Sequence, residues 1–336
     1  MTLLLPPPLE PGDAIGVFSP SAAATAWAPT RFARARDFVA ARGFRLVPGS
    51  LTGRRDAYRS GSIRARAEEL NALLRDPGIR CVMSAIGGFN SNALLPHLDE
   101  DAIRRDPKIV VGYSDVTALL LGIHARTGLV TFHGPALVAS LGELPPLVDR
   151  TWEAFAAVAC VPRRDRHELV APAEWTDEFI EWEEQSRPKL TRPNDVRFHG
   201  SGTVRGRLIG GNLNTMGGIG GTPWMPPIEP GDVLLLEDSR LSIATVERSL
   251  AWLDLARVFD RVGAVLLGKH ELLDDAGSGR TTLDVLREIL GDREVPVVEG
   301  FDSCHAHPML TVPIGVPVEV NFDAERVTIV GPWLAE

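Results

Sequence analysis

The first half of the chain alternates short apolar runs with segments in which apolar residues recur at helical spacing. This alternation constrains the fold more than any other feature of the sequence. Strands are predicted at 12–20, 46–48, 79–86, 108–112 and 130–132, and helices at 30–42, 62–74 and 116–124. Continuous apolar strands separated by helices are typical of a mostly parallel sheet that is covered on both faces. The sequence therefore predicts an α/β fold for this half.

The character of the sequence changes after about Pro162. Residues 171–198, called the excursion below, are rich in tryptophan, acidic residues and proline and lack a sustained period, which predicts a long ordered loop or a segment that passes over a cleft. Short β-like runs follow at 203–209, 233–237, 262–268, 295–299 and 318–322, with one clear helix at 245–255. These signals predict a second α+β domain with a small curved sheet or barrel. The predicted division is 1–165, a linker with the excursion at 166–200, and 201–336, each domain having its own core.

A serine stands where the apolar run at 108–112 meets the helix predicted at 116–124. The Ser114 hydroxyl would project from the carboxyl edge of the sheet, close to the free N–H groups and the positive end of the helix. This is the arrangement of a nucleophile elbow, although Val116 stands where the common G-x-S-x-G pattern has glycine. The alternative is that Ser114 or Asp115 only caps the helix.

Two glycines follow another predicted strand, in the string IGGFN. Glycines at such a place allow a ligand to approach the backbone and present N–H groups to it. The N–H groups of this turn are therefore candidate donors to an oxyanion. An ordinary connection between a strand and a helix explains the same pattern.

A serine nucleophile needs a base, and the base needs an acidic partner. Glu237 ends the apolar run 233–237 and is the acidic candidate, with Asp238 as its competitor. His305 and His307 alternate in the string DSCHAHP, so in an extended segment both face one side and at most one of them is the base. Cys304 and His305 diverge in such a segment, which disfavours a catalytic pair between them.

The composition disfavours several classes of function. The net charge is -9 and no clustered basic excess is present, so no nucleic-acid partner is expected. Cys81, Cys160 and Cys304 are odd in number and far apart, which favours a reducing compartment, the cytoplasm, over a disulfide framework. The first apolar run is too short for a signal peptide or a membrane span. Structural zinc usually has two ligand pairs at close spacing, and Cys81, Cys160 and His270 give no second pair to join the cysteine and histidines of DSCHAHP, so neither a metal nor another cofactor is expected.

Seven strings together resemble the LD-carboxypeptidase family of serine peptidases and follow the order of that family over nearly the whole chain. They are PGDAIGVFSPS, IGGFNSNALLPHLD, VGYSDVTALL, TFHGP, GGNL, LLLED and HPMLTVPIG. The resemblance implies a Ser-Glu-His triad, carried over onto Ser114 in VGYSD, Glu237 in LLLED and His305 ahead of AHPM. The family usually has Phe-Gly-His-Thr around that histidine, where this chain has the string SCHA at 303–306.

The same resemblance implies how the triad is divided between two domains. A Rossmann-like N-terminal domain would carry Ser114, and a smaller β-rich, swivelling-barrel-like C-terminal domain would carry Glu237 and His305. A cleft between the domains and a homodimer are further expectations. The oxyanion donors would be the backbone N–H groups of Gly88 and Asp115.

Two more strings, EWTDEFIEWEEQ and EDSRLSIATVER, resemble one branch of the family, the microcin C immunity peptidases. Enzymes of that branch cleave the amide between an aminoacyl or peptidyl group and a nucleotide-like moiety, and aromatic side chains of the excursion stack on the base. Trp175 and Trp182 are the matching residues, with packing of the excursion as the alternative. A lysine often follows the glutamate by four residues in that branch, where this chain has Leu241 with Arg240 beside it. Substrate binding is therefore expected from Trp175, Trp182, Arg240 and Asn212 of GGNL.

The resemblance implies a serine-type hydrolase that acts on a small aminoacyl- or peptidyl-nucleotide conjugate. The alternative within the family is an LD-carboxypeptidase that removes a terminal D-residue from muropeptides. The sequence is also compatible with a non-catalytic binding protein that keeps the cleft, and with a hydrolase that depends on Cys304.

Overall fold

The computed structural model describes residues 2–336, whose strands form two large sheets and one short hairpin. The strands are β1 (Ala14–Phe18), β2 (Arg45–Pro48), β3 (Cys81–Ser84), β4 (Ile109–Gly112), β5 (Thr131–His133), β6 (Arg166–Glu168), β7 (Glu174–Trp175), β8 (Arg192–Pro193), β9 (Arg197–His199), β10 (Thr203–Asn212), β11 (Val233–Glu237), β12 (Ala264–Gly268), β13 (Val297–Phe301), β14 (Val312–Ile314), β15 (Pro317–Asn321) and β16 (Arg326–Val330). The helices are α1 (Ala24–Trp27), α2 (Pro29–Ala41), α3 (Ile63–Arg75), α4 (Glu100–Arg105), α5 (Thr117–Thr127), α6 (Leu147–Ala159), α7 (Leu213–Gly217), α8 (Ile243–Leu255) and α9 (Thr282–Leu290). Within residues 2–336 none of the helices combines the length and apolarity needed to cross a membrane.

The first sheet has the strand order β14-β5-β4-β3-β1-β2. Its five strands from the N-terminal half are parallel, and β14 pairs antiparallel with β5 at one edge. Every residue of β1, β3 and β4 is buried, as expected for parallel strands covered by helices on both faces. The predicted mostly parallel sheet is confirmed.

The second sheet has the order β6-β16-β15-β10-β11-β12-β13-β9. Strands β10 to β13 are parallel in its centre, and antiparallel pairs flank them on both sides. The long strand β10 pairs first with β15 and then with β11, so that Asn212 and Glu237 lie side by side at the carboxyl ends of two strands. This register brings polar side chains together at the carboxyl end of β11, whose other residues are apolar.

Two local expectations need correction. The sequence predicts one clear helix in the C-terminal half, but the structure also contains α7 and α9, and α9 begins with a capping box between Thr281 and Asp284. The segment around the two candidate histidines is not extended: the Leu310 N–H donates to the Asp302 carbonyl at 2.9 Å and closes it into a turn. The alternation of His305 and His307 therefore does not place both on one face of a strand.

Sheet membership crosses the predicted domain boundaries. Strands β6 and β9 lie in the predicted linker at 166–200 but belong to the second sheet, and β14 returns from the C-terminal segment to the first sheet. The apolar core is shared in the same way, because one buried cluster contains Val17 and Val111 of the first sheet with Leu235 and Val318 of the second. Instead of the predicted separate cores, the two sheets are joined by continuous apolar packing.

The excursion is an ordered segment that is tied to the rest of the chain. Strands β7 and β8 form its hairpin. Thr176 and His307 exchange two backbone hydrogen bonds, of 2.8 and 2.9 Å. The excursion is thereby fastened to the segment that carries the candidate base.

Candidate active site

Ser114 projects alone from the turn between β4 and α5. Its φ angle is +63°, a left-handed conformation that non-glycine residues rarely adopt and that costs about 1–3 kcal/mol. Tyr113 and Asp115 on either side are buried, whereas Ser114 is partly exposed. Strain of this kind is common where a reactive side chain is held out at the carboxyl edge of a sheet.

The capping alternative for this turn is wrong. Helix α5 begins without a side-chain cap, and so does the short 3-10 turn before it. The Asp115 carboxylate instead accepts hydrogen bonds from the N–H groups of Asn90 and Ser91, at 3.0 and 2.9 Å. Asp115 therefore connects the serine turn to the loop that carries the two glycines.

Gly87 and Gly88 allow this loop to pass close to the serine. A Cβ atom on Gly87 would lie 2.8 Å from the Ser114 Cβ and 3.0 Å from the Asp115 nitrogen. Gly88 has a φ angle of +146°, and a Cβ atom there would lie 2.3 Å from the Ser21 Oγ. Both positions require glycine, and the two backbone segments predicted to supply oxyanion donors lie next to each other beside the Ser114 hydroxyl.

Glu237 and His305 form a hydrogen-bonded pair at the edge of the second sheet. The His305 Nδ1 lies 2.5 Å from the Glu237 Oε2. Glu237 also accepts a hydrogen bond from the Asn212 amide at 3.2 Å, and its Oε1 lies 3.8 Å from the Nε2 of His133. The other ring nitrogen of His133 contacts the Ser303 hydroxyl at 2.9 Å. A buried carboxylate is thus fixed by groups from both sheets.

The charges of this pair stabilise each other. Burial disfavours the charged imidazole of His305, but attraction to the Glu237 carboxylate outweighs burial and raises the histidine pKa above its usual value. Burial also favours a neutral Glu237, but attraction to His305 outweighs it and lowers the carboxyl pKa. An imidazole in this setting can accept a proton and remain stable as the cation.

The competing candidates have different surroundings. His307 is buried beside the cationic groups of Lys189 and Arg31, and burial with these charges lowers its pKa to about 3. The Asp238 carboxylate accepts hydrogen bonds from the Asn212 amide and the Asn214 N–H, both at 3.0 Å, rather than from a histidine. Of the two histidines and two carboxylates considered in the sequence, only His305 and Glu237 pair with each other.

Cys304 does not offer a nucleophile. It is 1% exposed, and burial raises the pKa of its thiol to about 12. A cysteine reacts as the thiolate and needs a lowered pKa and access to solvent. The alternative of a hydrolase that depends on Cys304 as its nucleophile is therefore wrong.

A cleft of about 510 Å³ contains Ser114 and His305. Trp182 lines its wall and stacks on Trp27, with ring centroids 5.0 Å apart, and the Arg31 guanidinium lies 4.6 Å from the Trp182 ring centre. Trp27 lines the same cleft and is 42% exposed. The aromatic wall therefore consists of one residue from the excursion and one from α1.

Trp175, expected to bind substrate, does not line this cleft. The Arg192 guanidinium covers its ring at 3.8 Å, and the Lys269 Nζ lies 5.2 Å from the ring centre. Lys269 forms an ion pair of 2.5 Å with Asp302, the first residue of the turn that carries His305. Trp175 packs beneath that turn, so the packing alternative describes it better.

The other two predicted binding residues differ in how much of their side chain is available. Asn212 lines the cleft, but its amide donates to Glu237 and Asp238 and its oxygen accepts from the Thr215 N–H at 3.0 Å. Because all its polar atoms have protein partners, Asn212 orients the carboxylates instead of offering a free group to substrate. Arg240 is exposed at the cleft, where its guanidinium lies 4.1 Å from the ring centre of Phe179.

Sequence reasoning missed three residues of this region: His133, Trp27 and Lys189. His133 lies in the string TFHGP that carries the family resemblance, so a polar residue at the end of β5 was an available signal. Trp27 and Lys189 gave no local signal, because only tertiary packing brings them to the cleft. Within residues 2–336 no group of three or more His, Cys, Asp or Glu side chains is arranged to hold a metal ion.

The chain matches the LD-carboxypeptidase N-terminal domain over residues 15–134 and the LD-carboxypeptidase C-terminal domain over residues 205–320. The chain belongs to the LD-carboxypeptidase family. As a member of this peptidase family the protein is a hydrolase. The two-domain α/β architecture predicted from the family resemblance is thereby confirmed.

Two relatives match this LD-carboxypeptidase family member over nearly its whole length, and one of them is a microcin C7 self-immunity protein. It is 57% identical over 326 residues to a carboxypeptidase-named protein of Vibrio cholerae, covering 97% of each chain. It is 53% identical over 334 residues to the microcin C7 self-immunity protein MccF of Escherichia coli, covering 99% of this chain and 97% of MccF. A solved structure of MccF in complex with aspartyl sulfamoyl adenosine has a TM-score of 0.97 at 53% identity and covers 99% of this chain and 100% of that one.

Proposed function

We propose that this protein is a serine amidase that hydrolyses the amide bond of aminoacyl- or peptidyl-nucleotide conjugates of the microcin C type. The observation that carries the proposal is the common cleft, in which Ser114 and the Glu237–His305 pair lie beside the aromatic wall of Trp182 and Trp27. The 53% identity to MccF, whose solved complexes contain aspartyl sulfamoyl adenosine, supports this substrate class.

In the proposed mechanism His305 acts as the base. Glu237 occupies the Nδ1 side of the ring, which leaves Nε2 to accept the proton of the Ser114 hydroxyl. The serine oxygen then bonds to the amide carbonyl carbon, and the backbone N–H groups of Gly88 and Asp115 stabilise the oxyanion. The imidazolium that forms is stabilised by the Glu237 carboxylate.

Collapse of this intermediate breaks the amide C–N bond. His305 returns its proton to the departing nitrogen, and the acyl group stays on Ser114 as an ester. A water molecule, deprotonated by His305, then hydrolyses the ester and restores the serine. The aromatic wall holds the nucleobase, because bases stack on indole rings with a gain of about 1–3 kcal/mol each.

The second candidate is LD-carboxypeptidase activity on muropeptides, which the exposed cation of the cleft favours. Arg240 is exposed at the cleft, and its guanidinium lies against the Phe179 ring. A terminal carboxylate of a peptide is the partner that such a guanidinium prefers. This candidate uses the same three catalytic residues.

Two further properties are proposed with this function. The unpaired state of Cys81, Cys160 and Cys304 supports a cytoplasmic location, where thiols stay reduced. A homodimer is expected from the family resemblance, and sedimentation equilibrium would test it.

The decisive experiment is mass spectrometry of products from one pool that contains an L,D-linked muropeptide tetrapeptide and an aminoacyl sulfamoyl adenosine. Release of the amino acid from the nucleoside by wild type supports the first proposal, and loss of the terminal D-residue supports the second. Ser114→Ala is expected to lose activity about 10^3-fold or more, because the nucleophile is removed. Its thermal unfolding midpoint serves as the control.

Two outcomes of this experiment contradict the proposals. Near-full turnover by a folded Ser114→Ala variant would exclude Ser114 as the nucleophile. Recovery of both compounds unchanged from wild type, with one of them bound, would support the non-catalytic binding protein instead.

A further inference from the structure

The three lysines of the chain are all buried, and two of them are satisfied by protein acceptors. The Lys108 ammonium donates to the carbonyls of Asp76 and Ile79, both at 2.9 Å, and to the Asp106 carboxylate at 2.5 Å. The ammonium of Lys269 donates to a backbone carbonyl and to the Asp302 carboxylate. Lys108 thereby has an acceptor for each of its three N–H donors, and Lys269 has two acceptors and the ring of Trp175 nearby.

Lys189 is the exception among them. It is 7% exposed and lines the cleft of Ser114 and His305. Its Nζ lies 3.3 Å from the Glu143 Oε2, and within residues 2–336 it makes no hydrogen bond to a backbone carbonyl. Glu143 is shared with Arg31, whose guanidinium lies 3.0 Å from the same carboxylate oxygen. One carboxylate therefore faces two cations, and the Lys189 ammonium, which has three N–H donors, has this carboxylate as its ion-pair partner within residues 2–336.

A buried group without a hydrogen-bond partner lies in the same wall. The Nδ1 atom of His307 is buried and has no hydrogen-bond partner within residues 2–336, and His307 lines the cleft. With its pKa lowered to about 3, His307 adds no charge at neutral pH. Arg31 and Lys189 are thus two cations that share the Glu143 carboxylate at this end of the cleft. Unsatisfied buried polar groups in a native structure call for an explanation, and a ligand is one.

We propose that Lys189 binds an anionic group of the substrate. The inference rests on the proposed hydrolysis of aminoacyl-nucleotide conjugates and adds a charge requirement to it. Such a conjugate offers two anions: the carboxylate of an acidic acyl residue, and the ionised linker between the acyl group and the nucleoside. The acidic residues that line the cleft are Glu181, Asp238 and Glu271, and Lys189 is a buried cation of the lining that can pair with either anion.

Three ligands distinguish these sources. Aspartyl sulfamoyl adenosine carries both anions, asparaginyl sulfamoyl adenosine lacks the carboxylate, and 5′-aspartylamino-5′-deoxyadenosine has a neutral amide linker. Dissociation constants are measured by calorimetry in the Ser114→Ala background, with and without Lys189→Gln. Lys108→Gln is the matched control, because it removes a buried lysine at the opposite end of β4 from Ser114.

Lys189→Gln is expected to weaken binding of aspartyl sulfamoyl adenosine about 10-fold or more, since a charge-assisted hydrogen bond is lost. The ligand that lacks the recognised anion should bind equally with and without the substitution, which identifies the source of the anion. Lys108→Gln should change none of the three constants. The fold of Lys189→Gln is expected to persist, because Glu143 keeps its ion pair with Arg31.

The proposal fails if a folded Lys189→Gln variant loses affinity for all three ligands by the same factor or for none of them. A measurement without the variant tests it as well: a Lys189 protein that binds all three ligands equally tightly contradicts it. Hydrolysis of the ligands by wild type is assayed separately. Charge-selective binding without hydrolysis would refute the proposed function alone, and hydrolysis without charge selectivity would refute only the role of Lys189.

Discussion

Around Ser114 the cleft is shaped by the backbone, whereas around His305 it is shaped by hydrogen bonds between side chains. The serine side depends on a positive φ angle and on two glycines that leave no space for a Cβ atom. The histidine side depends on the Glu237 carboxylate and on the residues that contact it. The serine side should therefore be sensitive to added atoms, and the histidine side to lost charges and to pH.

The largest effect that tests this contrast is expected from Glu237→Gln. The amide keeps the size of the side chain but removes the charge that stabilises the His305 imidazolium, so kcat should fall about 100-fold. Steady-state kinetics on an aminoacyl sulfamoyl adenosine measures the loss. Asp238→Asn is the matched control, because this neighbouring carboxylate contacts no histidine, and its loss should be much smaller. Equal losses in the two variants would remove the distinction between Glu237 and Asp238.

On the serine side, Gly88→Ala is expected to lower kcat/KM about 10-fold and to destabilise the fold by about 1–3 kcal/mol. The added Cβ atom would collide with Ser21 at a φ angle that alanine avoids, and the Gly88 N–H would shift. Gly217→Ala is the control, since a Cβ atom there meets nothing within 4 Å. Denaturant unfolding and initial rates measure both variants. If Gly88→Ala is as active and as stable as Gly217→Ala, the backbone at Gly88 does not determine the geometry around Ser114.

The excursion contacts both the Ser114 side and the His305 side of the cleft. Substitutions of its two tryptophans should therefore change different kinetic parameters. Trp182→Ala is expected to raise KM for a nucleoside conjugate about 10-fold with little change in kcat, because a stacking surface is lost. Trp175→Ala is expected to lower kcat a few-fold, because the ring packs on Lys269 beneath the His305 turn. Full kinetic curves for both variants separate the two parameters. The opposite pattern, with KM changed in Trp175→Ala, would restore Trp175 as a binding residue.

The smallest expected effect concerns pH. The base must be neutral to accept a proton, and Glu237 raises the His305 pKa above its usual value near 6.5, so activity should be lost as pH falls through that raised pKa. The acidic limb of the wild-type kcat/KM profile should therefore lie above pH 6.5. In Glu237→Gln the acidic limb should move to lower pH, whereas Gly88→Ala should leave it in place. If the acidic limb of the pH profile lies at the same pH in Glu237→Gln as in wild type, a group other than His305 determines its position.

The parts of this molecule that were predictable from sequence are those that local patterns encode. Apolar runs and helical periodicity indicated the parallel sheet, and the junction of β4 with α5 indicated the exposed Ser114. The sequence did not distinguish Trp175 from Trp182, because which tryptophan reaches the cleft depends on packing against Trp27 and Lys269. The hydrogen bonds from the Asn212 amide to Glu237 and Asp238 likewise depend on the register of β10 with β11. Helix α9 had a readable start in the string TTLD, which the β-like character of its surroundings obscured.

The exchange of edge strands has a consequence for the integrity of the molecule. A cut in the excursion near the exposed residue Leu190 would yield two fragments, of which the first contributes β6 to the second sheet and the second contributes β14 to the first. Main-chain hydrogen bonds would hold the fragments together after the covalent link is lost. Proteolytic nicking of this segment would therefore leave the pieces associated, and two separately produced fragments would have a structural reason to reassemble.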